Sequence, residues 1–185
     1  MQFLSCSLEK LAAQLSSNQF VHLKTIYPSV DQQNLLTKKG VYCYDYMDSI
    51  DKFDETSLPH QREFFNSLSG EHISLQQYQH AENVWNTLNC NTLRDYHDHY
   101  LMTDVLLLAD IFETFRNMSL NTFDLDPIHY FSLASLSWDS MLKYTGVEID
   151  LITDADMYQM VEKGMRGGIS VISHRYATAN HPNMA

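Results

Sequence analysis

The residues from Leu93 to Asn117 constrain the fold most, because they form one long segment with helical periodicity. Thr92 precedes the segment, and with Asp95 it can close a box of reciprocal hydrogen bonds that is typical of a helix start. Apolar side chains recur at steps of three and four residues: Leu101, Val105, Leu108, Phe112 and Phe115. This spacing predicts one long amphipathic helix whose apolar stripe faces the core.

Shorter segments on both sides carry weaker signals. The stretches "SLEKLAAQL", "LQQYQHAENVWNTL", "HYFSLASLSWDSMLKYTG" and "DADMYQMVEKG" have the apolar spacing of helices. The stretch "NQFVHLKTIYP" is predicted to be extended or loop-like, and residues 41–44 are predicted to form a short strand. Towards the end, Ile169, Val171 and Ile172 favour a strand. The predicted fold class is therefore α+β, mainly helical.

The composition limits the class of protein. The chain has 185 residues, 44% of them hydrophobic, which is enough for a real core. Its formal net charge of −11 argues against a free-standing nucleic-acid-binding module. Neither a signal peptide nor a membrane-spanning segment is predicted. The three cysteines are widely spaced and match no disulfide framework or metal knuckle, which predicts an intracellular, reducing compartment.

Tyr100 and Asp104 form the first candidate site. They are four residues apart, so a helix places them on one face, one turn from each other. A carboxylate held in this way can bind a divalent cation, and a neighbouring tyrosine can orient a metal-activated water. The alternative is that both are solvated residues near the helix start, where a negative charge is favourable.

Two further sites contain basic residues beside glycines. Lys39 precedes Gly40 and could contact a phosphate, whereas the alternative, which the local sequence favours, is a solvated turn. In Arg166-Gly167-Gly168, two glycines allow a close backbone approach and the arginine suits a phosphate backbone. The alternative for this second site is a simple helix stop before a strand.

His97, Asp98 and His99 suggest a zinc-dependent hydrolase as another hypothesis. Residues two apart on a helix do not face each other, and no further histidine or cysteine lies nearby at a metal-binding spacing. The spacing therefore disfavours a zinc site. No catalytic triad and no phosphate-binding loop of the Walker type is present in the sequence.

Taken in order, the motifs resemble the middle of a protein-primed family B DNA polymerase. They are Lys39-Gly40-Val41-Tyr42, then "YHDHYLMTDVLLLADIFETFR", then "MRGGIS". The stretches "KKGVYCYDYMDS", "GVEIDLITDADMYQMVEKGMRGGIS" and "SHRYATAN" are similar to the organellar, viral and self-synthesising transposon group of type B. The resemblance implies that residues 1–120 are the C-terminal part of a ribonuclease H-like 3′–5′ exonuclease domain. It implies that residues 121–185 form a helical connection and the start of a polymerase palm.

The resemblance also implies roles for single residues. Tyr100 and Asp104 match the third exonuclease motif, in which the aspartate holds Mg²⁺ or Mn²⁺ and the tyrosine orients the attacking water. Lys39 matches a lysine that assists exonuclease chemistry at the scissile phosphate. Arg166-Gly167-Gly168 matches a Tyr-x-Gly-Gly motif that contacts the template strand, although Met165 stands in place of its tyrosine.

The remaining catalytic carboxylates of that family are expected upstream and downstream of this chain. One matched aspartate cannot hold two metal ions, so the sequence predicts a fragment that is inactive in isolation. For the intact parent, the implied partners are DNA, as primer 3′ end and template, and a terminal protein primer. The alternative hypothesis is a non-catalytic helical protein-interaction module of polymerase ancestry, which the acidic net charge favours.

Overall fold

The computed structural model describes residues 3–165 and residue 167, and the chain divides into two compact units, residues 1–145 and 146–185. The described residues of the first unit contain six α-helices and four short 3-10 helices. The α-helices are α1 (Leu8–Ala12), α2 (Val21–Ile26), α3 (Val30–Leu36), α4 (Leu75–Thr87), α5 (Leu93–Phe123) and α6 (Leu133–Thr145). The 3-10 helices are Ser17–Gln19, Ile50–Asp54, Gln61–Phe64 and Pro127–His129. The described part of the second unit contains one α-helix, α7 (Ala155–Gly164).

Helix α5 is the central helix of the first unit, and several of the other helices pack against it. Thr92 and Asp95 form the predicted capping box at its start, and Ser74 and Gln77 do the same for α4. The helix continues beyond the predicted end at Asn117 and stops where Asp124 adopts a left-handed conformation, with φ of 52°. Aspartate tolerates this conformation better than most residues. The predictions of helices at α1, α4, α6 and α7 are also confirmed.

The predicted core-facing stripe of α5 is wrong for three of its five residues. Leu101, Val105 and Leu108 are 53%, 56% and 58% exposed, whereas Phe112 and Phe115 are half-buried against Phe3. The buried face lies on another side of the helix and consists of Leu93, Tyr96, Thr103, Leu107, Asp110, Ile111 and Ser119. Helices α1 and α2 pack against α5. Because α5 is apolar on more than one side, periodicity alone did not identify the buried one.

The prediction of an extended segment before Pro28 is wrong, because residues 21–26 form α2. Phe20 precedes this helix and offers no side-chain cap. Asp110 of α5 replaces the missing cap: its carboxylate accepts hydrogen bonds from the backbone N–H groups of His22 and Leu23, at 2.8 and 3.2 Å. A distant residue therefore satisfies the donors at the start of α2.

The predicted strand at residues 41–44 is also wrong. The Tyr96 hydroxyl donates a 2.7 Å hydrogen bond to the Val41 carbonyl, which is therefore not used in a strand ladder. Within the described residues, β-structure is limited to an isolated bridge between Asn66 and Glu71. The mainly helical class is confirmed, while the ribonuclease H-like exonuclease fold and the division at residue 120 stay predictions. The strand predicted around residues 169–172 lies outside the described residues.

The second unit is described as far as Met165, together with Gly167. Asp154 caps α7 by accepting a hydrogen bond from the Met157 backbone N–H at 2.8 Å. Across both units, no helix in the described part of the chain is long and apolar enough to cross a membrane.

Candidate functional site

Helix α5 and the segment after α3 form an aromatic cluster around Tyr100. The rings of Tyr42 and Tyr100 stack with centroids 4.9 Å apart and an interplanar angle of 24°. Tyr44 meets Tyr100 edge-on, and the two phenol hydroxyls share a hydrogen bond. The Tyr42 hydroxyl bonds to Nδ1 of His97 at 2.7 Å. These contacts hold the Tyr100 side chain in one orientation.

The segment from Lys39 to Tyr42 packs closely against α5, and Gly40 makes this close approach possible. A Cβ atom at this position would lie 3.3 Å from Cδ2 of Tyr100, which is tighter than an ordinary van der Waals contact. The Tyr96 hydrogen bond to the Val41 carbonyl fixes the next residue of the same segment. Tyr96 is buried, and burial raises the pKa of its phenol far above the ordinary value, so it remains a donor at neutral pH.

Lys39 and Tyr100 line the same cleft. The cleft has a volume of about 270 Å³, and Gly40, Tyr42, Tyr44 and Phe64 are also in its wall. Lys39 is half-buried and forms no ion pair with any described residue. The structure therefore brings together two of the sequence-predicted site residues that lie far apart in the chain.

Asp104 lies one turn beyond Tyr100 and affects its electrostatics. Burial is the largest cause that raises the pKa of Tyr100 above 10.0, and the hydrogen bond to Tyr44 and the negative charge of Asp104 add to it. Tyr100 therefore carries its proton at neutral pH. Asp104 is half-buried, and its Oδ1 is a buried atom with no hydrogen-bond partner among the described residues.

An unpartnered carboxylate oxygen suits a metal ligand, because a buried charge without a partner is costly. Oδ1 of Asp104 could therefore form one bond to a metal ion. The described residues nevertheless contain no group of three or more histidine, cysteine, aspartate or glutamate side chains that could hold a metal ion. The described residues therefore supply candidate ligands such as Asp104 but not a complete two-metal site.

His97 and His99 serve separate contacts. His97 bonds to Tyr42 and lies edge-on to Phe53, with centroids 5.0 Å apart, whereas Nδ1 of His99 bonds to the Tyr27 hydroxyl at 3.0 Å. The two imidazoles therefore contact different partners and do not converge on one point.

The glycine-rich segment is described only at Gly167, which is exposed and has open space where a Cβ would lie. Arg166 and Gly168 lie outside the described residues. The roles predicted for all three stay predictions.

Sequence reasoning missed Asp110, the most buried carboxylate of α5. It is 1% exposed, and besides the two backbone donors of α2 it bonds to Nδ1 of His22 at 2.8 Å. No short-range spacing pattern identifies Asp110, because its hydrogen-bond partners lie 87 and 88 residues away in the sequence. Its position among apolar residues in "LLLADIFETF" was the one available signal, since a buried carboxylate requires partners.

In a comparison with known protein families, residues 1–184 match the family described as DNA polymerase type B, organellar and viral. No curated protein and no solved structure matches the chain. The chain therefore belongs to the organellar and viral type-B DNA polymerases.

Proposed function

We propose that this chain contributes to the 3′–5′ exonuclease site of a protein-primed type-B DNA polymerase. Asp104 would be one ligand of a divalent metal ion, Tyr100 would orient the attacking water, and Lys39 would act at the scissile phosphate. One observation carries the proposal: Lys39 and Tyr100 share a cleft, and an unpartnered carboxylate oxygen of Asp104 lies one helical turn away.

The protonation state of Tyr100 supports its role. A tyrosine phenol is neutral near pH 7, and the raised pKa of Tyr100 extends this state to higher pH, so its hydroxyl can donate and accept hydrogen bonds. The hydroxyls of Tyr44 and Tyr100 are joined by a hydrogen bond, and the stacked ring of Tyr42 restricts the movement of the Tyr100 side chain. A fixed, neutral phenol is suited to hold a water molecule in one position.

Lys39 supplies a positive charge at this cleft, whose wall also contains Glu9 and Glu71. Its ammonium group is a compact donor that suits a single phosphate oxygen. The packing of Gly40 on Tyr100 and the Tyr96 hydrogen bond to Val41 limit where Lys39 can point. Membership in a DNA polymerase family implies DNA as a partner, and the primer 3′ end is the strand that an exonuclease site would receive.

The divalent ion, Mg²⁺ or Mn²⁺, would stabilise negative charge at the phosphate and lower the pKa of the attacking water. Asp104 alone cannot hold two ions, and the described residues contain no group of three or more candidate ligands, so further carboxylates of the intact polymerase would complete the site. We therefore propose that the chain is inactive in isolation. A terminal protein primer, DNA contacts at Arg166-Gly167-Gly168 and kinship with self-synthesising transposons belong to the same proposal.

The experiment compares degradation of a 3′-terminal mismatch with primer extension, in an intact polymerase that contains this chain. Asp104→Ala should reduce exonuclease activity by about 100-fold or more, and Tyr100→Phe by a smaller factor, while primer extension is retained. Asp98→Ala is the matched control, because Asp98 is exposed on the same helix. Unaltered exonuclease activity in Asp104→Ala would rule out the assigned site.

The second candidate function is a non-catalytic helical module that binds a protein partner. The net charge of −11 favours it, as does the lack of a group of three or more candidate metal ligands among the described residues. It predicts no affinity for single-stranded DNA at moderate salt. Salt-dependent DNA binding that Arg166→Ala weakens would contradict this candidate and support the polymerase function.

A further inference from the structure

His97 lies on α5, about one turn before Tyr100. Its Nδ1 atom forms a hydrogen bond with the Tyr42 hydroxyl, and the two atoms are 2.7 Å apart. Tyr42 lines the cleft together with Tyr100 and Lys39, whereas His97 does not line it. His97 therefore reaches the cleft through Tyr42.

Tyr42 connects this hydrogen bond to Tyr100. The two tyrosine rings stack, with centroids 4.9 Å apart and an interplanar angle of 24°. The ring of Tyr42 is held at its hydroxyl, so it cannot slide across the face of Tyr100 without losing the bond to His97. The orientation of the Tyr100 ring therefore depends on a residue that does not touch the cleft.

The protonation of Tyr42 suits this contact. Burial is the largest cause that raises the pKa of its phenol to about 12, so the hydroxyl keeps its proton at neutral pH. A neutral imidazole can accept that hydrogen bond at Nδ1 while its Nε2 carries the ring proton. Phe53 meets the His97 ring edge-on, with centroids 5.0 Å apart. His97 is thus held by a ring contact as well as by the hydrogen bond.

His99 makes the same kind of bond two residues further along α5. Its Nδ1 atom bonds to the Tyr27 hydroxyl at 3.0 Å, and both histidines are half-buried. Tyr27, however, follows the end of α2 and does not line the cleft that contains Lys39 and Tyr100. The two histidines therefore differ in what their tyrosine partner touches, and His99 is a matched control for His97.

We propose that His97 is a positioning residue for the candidate exonuclease site: its hydrogen bond fixes the Tyr42 ring, and the Tyr42 ring fixes the direction of the Tyr100 hydroxyl. The catalytic consequence rests on the proposed function, in which Tyr100 orients the attacking water. The effect on the orientation of Tyr100 does not depend on that function, because it follows from the packing alone.

The first readout is the NMR spectrum of labelled tyrosine side chains in the full chain. Tyr42→Phe removes the hydroxyl and keeps every ring, so it should shift the Tyr100 signals, and His97→Phe should shift them as well. His97→Asn keeps a hydrogen-bonding atom near the position of Nδ1 and should leave them close to the wild type. His99→Phe should not move them. Unchanged Tyr100 signals in Tyr42→Phe and His97→Phe, or an equal change in His99→Phe, would overturn the proposal.

The second readout is the removal of a 3′-terminal mismatch by an intact polymerase that contains this chain. His97→Phe should lower kcat by about 10- to 100-fold with little change in KM, because a displaced Tyr100 misplaces the attacking water while the cleft wall is kept. His97→Asn should restore most of the rate, and His99→Phe should retain it.

The two proposals fail in different ways. Loss of exonuclease activity in Asp104→Ala without loss in His97→Phe would overturn the positioning role and leave the proposed function in place. Unaltered activity in Asp104→Ala would instead contradict the proposed function, and the Tyr100 spectra would then decide the role of His97 by themselves.

Discussion

Asp104 and Asp110 lie fewer than two turns apart on α5, yet the fold treats their carboxylates differently. Asp110 accepts hydrogen bonds from two backbone N–H groups of α2 and from the His22 imidazole, and it is 1% exposed. Asp104 is half-buried, and one of its oxygens is enclosed without any partner among the described residues.

The carboxylate of Asp110 is used for hydrogen bonds within the fold, whereas Oδ1 of Asp104 forms none with the described residues. Asp110 satisfies donors that no residue near α2 can satisfy, so its charge holds two helices together. Asp104 caps no second helix, and its side chain instead acts on Tyr100, whose pKa it raises through its negative charge and through a weaker hydrogen bond. Two residues of the same type on one helix can therefore differ in how far the fold satisfies their oxygens with hydrogen bonds.

Removal of the Asp110 carboxylate should have the largest effect on stability. Asp110→Ala leaves the N–H groups of His22 and Leu23 without their acceptor and should lower the free energy of unfolding by about 2–4 kcal/mol. Urea denaturation measures the change. Asp31→Ala is the control, because Asp31 is exposed at the start of α3 and should stay within about 0.5 kcal/mol of the wild type. Equal losses in the two variants would show that Asp110 is not a special contact.

Removal of the His22 side chain should have a smaller effect. His22→Ala deletes one of the three hydrogen bonds to Asp110 but keeps both backbone donors. Because the imidazole is about half exposed, we expect a loss of about 1 kcal/mol. A loss as large as that of Asp110→Ala would place the main interaction in the His22 side chain and not in the cap of α2.

Acidification should weaken the side of α5 that carries Tyr100. Burial lowers the pKa of His80 and of His99 below 6.5; Lys38 adds to the effect at His80, while Asp95 and Asp98 partly oppose it at His99. The unfolded chain then takes up protons before the folded chain does, so stability is lost as the pH falls below about 6.5. Urea unfolding across that range should show a shallower loss for His80→Leu. Identical slopes in the two proteins would contradict the assignment to His80.

The smallest expected effect is a shift in the ionisation of Tyr100. Asp104→Asn removes a negative charge that raises the pKa of this phenol, so ionisation of Tyr100 should begin at a lower pH. Burial and the bond to Tyr44 remain, and the pKa should stay above 10.0. NMR titration of labelled tyrosine side chains measures the shift. An unchanged titration would show that the two side chains do not interact.

Local signals in the sequence predicted much of the fold. The capping pairs of α4 and α5 act over three residues, and both helices begin as predicted. Helix α2 was missed because its cap, Asp110, is 88 residues from His22. The strand at residues 41–44 was predicted wrongly because its tyrosines pack on α5 instead of alternating across a sheet.

The candidate site was predictable to a similar extent. Helical spacing placed Tyr100 beside Asp104, and the family resemblance singled out Lys39. The hydrogen bond from Tyr44 and the bond between Tyr42 and His97 depend on contacts between distant segments, which no spacing rule reveals. The apolar side of α5 was chosen wrongly because Leu101 and Leu107 give equally good helical patterns, although only Leu107 is buried.

The most direct test of the contrast on α5 is the free energy of unfolding of Asp104→Asn, measured beside Asp110→Asn. If the fold uses Asp110 and leaves Asp104 available, Asp104→Asn should unfold within about 0.5 kcal/mol of the wild type or be more stable. Asp110→Asn should lose about 2 kcal/mol or more, because the amide cannot accept from every donor. A loss in Asp104→Asn equal to that in Asp110→Asn would show that both carboxylates are structural.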